Sequence, residues 1–164
     1  MYQSIISRRR ARGVTLLEVL ISVLVLGVGL LGVAAMQANA LKTNHSALQR
    51  SQAVMLAYFM LDAMRANRNA ALAGDYDLGT IGSAGSDDSP ICTAPSGSTH
   101  ITRDQAAWFA AMKDNLGDLN TTCGLIACNA ARCTVKVMWD DERANLNLDQ
   151  ETPEPQIIEV STVL

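Results

Sequence analysis

The apolar positions of this chain fall into distinct patterns in succession. From Val14 to Met36 they form a continuous run of 23 residues in which Glu18 is the only charge. At about 1.5 Å of rise per residue, the run is long enough to cross a hydrocarbon layer of about 30 Å as one helix. Beyond it the pattern becomes amphipathic. Leu41, Leu48, Met55, Phe59, Ala63 and Ala66 fall near one face at helical spacing, with Lys42, Gln49 and Arg50 on the other side. One long helix is predicted from Thr15 to about Ala73, stopped by Gly74, with the apolar face of its second half packed beneath a sheet.

Residues 75 to about 98 are rich in Gly, Ser, Asp and Pro, including Gly82-Ser83-Ala84-Gly85-Ser86-Asp87-Asp88-Ser89-Pro90. This is the composition of a solvated loop. Asp87 and Asp88 lack the spaced ligands of a calcium loop. A second helix is expected from about Arg103 to Leu116. Thr102 is its candidate N-cap, Gln105 closes a capping box, Gly117 is the stop, and Phe109, Met112 and Leu116 form the buried stripe. Thr134–Trp139 alternates as a strand, with Val135, Val137 and Trp139 on one face. Asp140-Asp141-Glu142 reads as a solvated turn, and Asn145–Pro155 as a long polar connection. A further β-rich run covers Gln156–Leu164, and a weaker one Thr122–Cys128. The sum is an α+β layout: a long amino-terminal helix, membrane-spanning then amphipathic, packed on a small carboxy-terminal antiparallel sheet.

Charge divides the chain at the same place as hydropathy. Residues 1–13 hold four of the 13 basic residues and none of the 16 acidic ones, so a chain starting at Val14 carries a net −7. The arginines Arg8, Arg9, Arg10 and Arg12 all precede the apolar run, which by the positive-inside rule keeps the amino terminus cytoplasmic. The 128 residues after Met36 suffice for one modest domain with its own core, across the membrane. Their acidic balance argues against direct nucleic-acid binding. The four cysteines, Cys92, Cys123, Cys128 and Cys133, are expected to form disulfides in an exported domain, with all three full pairings open. A zinc site is disfavoured because there is no C-x-x-C pair and His45 and His100 are isolated.

An apolar start that carries one carboxylate needs a physical reason. An unpaired charge costs roughly 2.5–3.5 kcal/mol at mid-membrane, and less near the interface where Glu18 falls. Gly13-Val14-Thr15-Leu16-Leu17-Glu18-Val19-Leu20-Ile21-Ser22, behind the basic leader, resembles the class III signal of type IV prepilins and pseudopilins. The resemblance covers about the first quarter of the chain. It implies that prepilin peptidase cuts between Gly13 and Val14 and methylates the new amino terminus on Val14. The α-amino group freed there is mostly protonated near neutral pH, and the resemblance implies that it pairs with Glu18 of a neighbouring subunit. Two positions depart from major pilins: Val14 replaces the usual phenylalanine, and Ala35 a frequent proline. Gly27, Gly29 and Gly32 either loosen the helix, at about 1 kcal/mol each relative to alanine, or permit close helix packing. The rival cleavage pattern Ala38-Asn39-Ala40 follows a run too long for an ordinary secretory signal. An uncut signal anchor leaves Gly13 and Glu18 together unexplained.

Within this family, Gly27-Val28-Gly29-Leu30-Leu31-Gly32, Arg65-Ala66-Asn67-Arg68-Asn69-Ala70-Ala71 and Val137-Met138-Trp139-Asp140 are similar to minor pilins. The resemblance implies a low-abundance subunit at the pilus tip. There it joins other minor pilins and the major pilin in priming assembly, with a PilY-type adhesin as a further partner in some bacteria. Adhesion and twitching motility follow indirectly. The implied location is the bacterial inner membrane, single-pass with a periplasmic carboxy-terminal domain, and then the extracellular pilus. The expected segments are a leader (1–13), a membrane and filament-core helix (14–36), its amphipathic continuation (37–73), a loop (74–101), and a helix with strands (102–164). A minor pseudopilin of a type II secretion system shares the same leader chemistry. A membrane-anchored periplasmic enzyme is disfavoured, because no nucleophile motif, metal cluster or cofactor signature appears. No catalytic or metal-binding residue and no cofactor is expected.

Overall fold

The computed structural model describes residues 13–82, 88–118, 120–129, 131–141 and 155–164. The chain divides into two compact units, Met1–Leu41 and Lys42–Leu164. Helix α1 (Leu16–Ala66) begins in the first and ends in the second. Its best apolar window has a mean hydropathy of 2.7 and none of its residues is buried. By length and composition this helix can cross a membrane. In the first unit its large side chains point outward all round, with Leu16, Leu24 and Leu31 exposed alike. A helix that is apolar on every side requires an apolar surrounding.

The second unit is built on the last four turns of α1. Ala53, Leu56, Ala57, Met60, Leu61 and Met64 are its buried residues. They recur at three- and four-residue intervals and make one core-facing stripe. This corrects the face read from the sequence. Leu41, Leu48, Met55 and Phe59 do share a face, but they are 48–70% exposed, and Ala66 is exposed too. Of that set only Ala63 packs against the core. Both faces of this part of α1 are apolar, and the core selects the one with more small residues, where Ala53 and Ala57 allow close approach.

The helix is also shorter than expected. It breaks at Asn67, whose backbone is non-helical and whose N–H is shared between the carbonyls of Ala63 and Met64, both at 3.2 Å. A separate short turn, α2 (Arg68–Leu72), follows. Gly74 then takes the left-handed region at φ 85°, as its stop role requires.

Helix α3 (His100–Leu116) starts three residues before its expected position. The N-cap is Thr99, not Thr102: the Thr99 hydroxyl oxygen accepts from the Thr102 amide at 3.1 Å. Gln105, read as part of a capping box, is instead buried and donates to the Tyr76 carbonyl at 3.1 Å. Gly117 ends the helix at φ 112°, as predicted, and Phe109, Met112 and Leu116 are buried together with Trp108. The Trp108 indole N–H donates to the Leu56 carbonyl of α1 at 2.9 Å, which ties the two helices by a polar contact inside the core.

The sheet contains β1 (Cys123–Asn129), β2 (Arg132–Trp139) and β3 (Gln156–Val163), antiparallel and in the order β1-β2-β3. Val135, Val137 and Trp139 are buried, as their alternation predicts. Gly124 on β1 is required by packing: a Cβ there would lie 2.5 Å from the Trp108 ring. The protein is thus α+β, with the long helix packed on a small three-stranded antiparallel sheet.

The segment between α2 and α3 is more structured than its composition implies. Tyr76 and Leu78 are buried. Leu78 bridges to Ile126 and Ile91 to Gly124, so the segment lines the free edge of β1. Asp88 is not simply solvated, because its carboxylate meets the Lys136 ammonium at 2.6 Å. Asp87, Glu142 and the connection 145–154 lie outside the described residues, and the carboxylate turn at 140–142 is only partly described. Within it Asp141 is 4% exposed, which corrects the solvated reading.

Candidate processing and assembly site

Gly13, Val14 and Thr15 stand ahead of α1 in irregular backbone. Among the described residues nothing lies within 4 Å of where a Gly13 side chain would begin, and Val14 is 68% exposed. The Gly13–Val14 bond thus lies outside regular secondary structure, with the Val14 side chain exposed. The arginines at 8–10 and 12 lie outside the described residues.

Helix α1 opens one residue after Thr15, and Thr15 organises its first turn. The Thr15 carbonyl accepts from the amides of Glu18 and Val19 at 3.1 and 3.2 Å. Its hydroxyl oxygen accepts from the Glu18 amide at 3.3 Å. Thr15-Leu16-Leu17-Glu18 has the spacing of a capping box, a signal present in the sequence. Glu18 lies in the first turn, where the exposed amides of a helix start favour a negative charge. The geometry therefore gives Glu18 a local role in starting the helix beside any role between subunits. One turn on, the Ser22 hydroxyl donates to the Glu18 and Val19 carbonyls at 2.8 and 2.9 Å, so its polarity is spent within the helix. Gly27, Gly29 and Gly32 have open space where a side chain would begin.

In the second unit the cysteines pair as Cys92–Cys123 and Cys128–Cys133. The first fastens the segment before α3 to the start of β1. The second joins directly opposed residues of the β1–β2 hairpin. No described group of three or more His, Cys, Asp or Glu could hold a metal ion. Asp77 supports the hairpin, since its carboxylate accepts from the Cys128 amide at 2.9 Å. Burial raises the Asp77 pKa, an effect that the Cys128 hydrogen bond opposes. Tyr76 is raised as well, first by burial and then by its 2.7 Å bond to the Asp104 carboxylate.

Lys136 is the electrostatic centre of the sheet's outer face. It contacts Asp88 at 2.6 Å and Glu159 of β3 at 3.2 Å. The hydrogen bond from Lys136 holds Asp88 below the usual carboxylate range, and Asp88 in turn raises Lys136. Asp88 also accepts from the Gly82 amide at 2.9 Å, and Thr80 bridges to Ser89, so the segment from 80 to 89 is closed at its base.

Comparison with known proteins finds a match at the start of the chain. Residues 8–34 match the family model described as the prokaryotic N-terminal methylation motif. No curated protein and no solved structure matches the chain. The motif covers Gly13, Val14, Glu18 and most of the apolar run. It supports a type IV pilin-like or pseudopilin subunit processed by prepilin peptidase. Together with the apolar start of α1 it indicates anchoring in the inner membrane.

Proposed function

We propose that this chain is a minor pilin of a type IV pilus, of the kind called PilV or type IV pilus modification protein, which primes assembly and is incorporated at the pilus tip. The observation that carries the reading is the Gly13–Val14 boundary with Glu18 in the first turn of α1, inside the methylation motif. In this reading residues 1–13 are removed, Val14 is methylated, 14–36 anchors the chain and then joins the filament core, and 37–164 form the exported body. The amino terminus starts in the cytoplasm and the body in the periplasm. The Val14 ammonium of one subunit meets Glu18 of the next, which removes the cost of an unpaired carboxylate among apolar helices. The outward stripe of Leu48, Met55 and Phe59 is available to sister subunits. Those partners are other minor pilins and the major pilin, with a PilY-type adhesin beside them, and the outcome is twitching motility and surface attachment.

Mass spectrometry of the mature protein tests the first step, and a methylated amino terminus at Val14 is expected. Gly13→Ala should leave the leader attached. Glu18→Ala should preserve membrane insertion and cleavage while lowering the amount found in sheared pili. An amino terminus at residue 41, or an intact Met1, would sink the proposal. A deletion strain that loses protein secretion but keeps normal pili would move the chain to the type II secretion pseudopilins, whose leader chemistry is the same.

A further inference from the structure

We propose that Asn120 is an N-glycosylation site that accepts an oligosaccharide from a polyprenyl-diphosphate carrier, an inference that rests on the export of the body proposed above. Asn120-Thr121-Thr122 has the spacing that N-glycosyl transfer needs, an asparagine with a hydroxyl two residues on and no proline between them. An amide nitrogen is a weak nucleophile, because its lone pair is delocalised into the carbonyl. The hydroxyl gives a transferase a handle by which to hold that amide in place. Transfer joins Asn120 Nδ2 to C1 of the first sugar. The bond from C1 to the carrier's phosphate oxygen breaks, the polyprenyl diphosphate leaves with the electron pair, and the amide gives up one proton.

The chain holds this triplet twice, and the fold separates the two copies. Asn44-His45-Ser46 lies inside α1. Residues two apart on a helix do not face each other, so Ser46 is not presented beside Asn44. Asn120 instead stands in the turn between α3 and β1, where it and Thr121 are both exposed. The ends of this turn are fixed. Gly117 takes φ 112°, Asp118 meets the Lys113 ammonium at 2.9 Å, and Cys123 is joined to Cys92. Among the described residues no group holds the Asn120 side-chain amide, so a glycan there leaves the core untouched. Thr122 is fully buried in the folded body, and its hydroxyl donates to the Gly117 carbonyl at 2.7 Å. A transferase therefore reads Thr122 before the turn closes. That order puts transfer on the emerging chain, ahead of the Cys92–Cys123 disulfide.

Mass spectrometry of the full chain, purified from the cells that make it, tests this. After reduction and trypsin, Asn120 lies on the peptide Asp114–Arg132. That peptide should carry a series of sugar masses, which fragmentation places on Asn120. Asn120→Gln changes an exposed amide, so the variant should resist proteolysis as the parent chain does while losing the sugar completely. Thr122→Val keeps the shape of the buried side chain and should lose the sugar too. Thr122→Ser keeps the hydroxyl and should retain it, a distinction that a purely structural role for Thr122 does not predict. A bare Asp114–Arg132 peptide, or a sugar mass that survives Asn120→Gln, would overturn the inference. The amino terminus, read on the same sample, judges cleavage at Gly13 separately.

Discussion

Single residues set the tightest constraints in the second unit. Gly124→Ala forces a methyl group into the Trp108 ring, which is itself fixed by its bond to the Leu56 carbonyl. Overpacking of this kind costs about 1–3 kcal/mol, so the variant should unfold at lower urea than the parent chain. Met60 and Met55 make a sharper pair. Met60 is fully buried, and its truncation to alanine should cost about 2–5 kcal/mol. Met55 is 59% exposed, and the same truncation should change stability by less than about 0.5 kcal/mol. Equal losses in denaturant titrations would contradict the assignment of the core face. Gly124 also shows a limit of reading sequence. A glycine in a short β-rich run says that something approaches closely, but not that the neighbour is an indole from a helix residues away.

At the level of elements, the two disulfides differ by the chain length that each closes. Cys92 and Cys123 are 31 residues apart and Cys128 and Cys133 only five. Loop entropy alone assigns about 3.7 kcal/mol to the first and about 2.1 kcal/mol to the second. Replacing Cys92 and Cys123 with serine should therefore lower the urea midpoint more than replacing the hairpin pair. Legibility varied in the same element-by-element way. The start of α1, the stop at Gly117 and the strand at Val135–Trp139 were readable, because each is governed by local pattern and turn chemistry. The core face of α1 was not. Two apolar stripes are present, and the buried one is that where Ala53 and Ala57 allow close approach, a choice made only when the rest of the core packs against it. The N-cap shifted from Thr102 to Thr99 because two threonines three residues apart offer the same hydroxyl. At the start of α1, Glu18 stands out as the only charge in the apolar run, whereas Thr15, which organises the first turn, offers no such contrast.

Across the whole molecule, charge acts in two places with different reach. The leader arginines set the net balance, and removing residues 1–13 leaves the body strongly acidic. The Asp88–Lys136–Glu159 cluster acts locally, and its pH dependence has two arms. Asp88 is depressed by Lys136, so its contribution is complete above the unfolded carboxylate value of about 3.9 and is lost as pH falls through the folded value. Lys136 is raised by Asp88, so its contribution is complete below about 10.4 and is lost as pH rises through its folded value. Stability from the cluster should hold flat between those limits and decline outside them. Lys136→Met should remove both arms and cost on the order of 1–2 kcal/mol near neutral pH. The two tryptophans carry a practical consequence for all these measurements. Trp108 and Trp139 are the only ones in the chain, and both are buried in the second unit at 0% and 2% exposure. The first unit has no tryptophan and is silent in tryptophan emission. Tryptophan emission therefore reports on the second unit alone, and its unfolding can be followed in reconstituted vesicles without first detaching the protein from lipid.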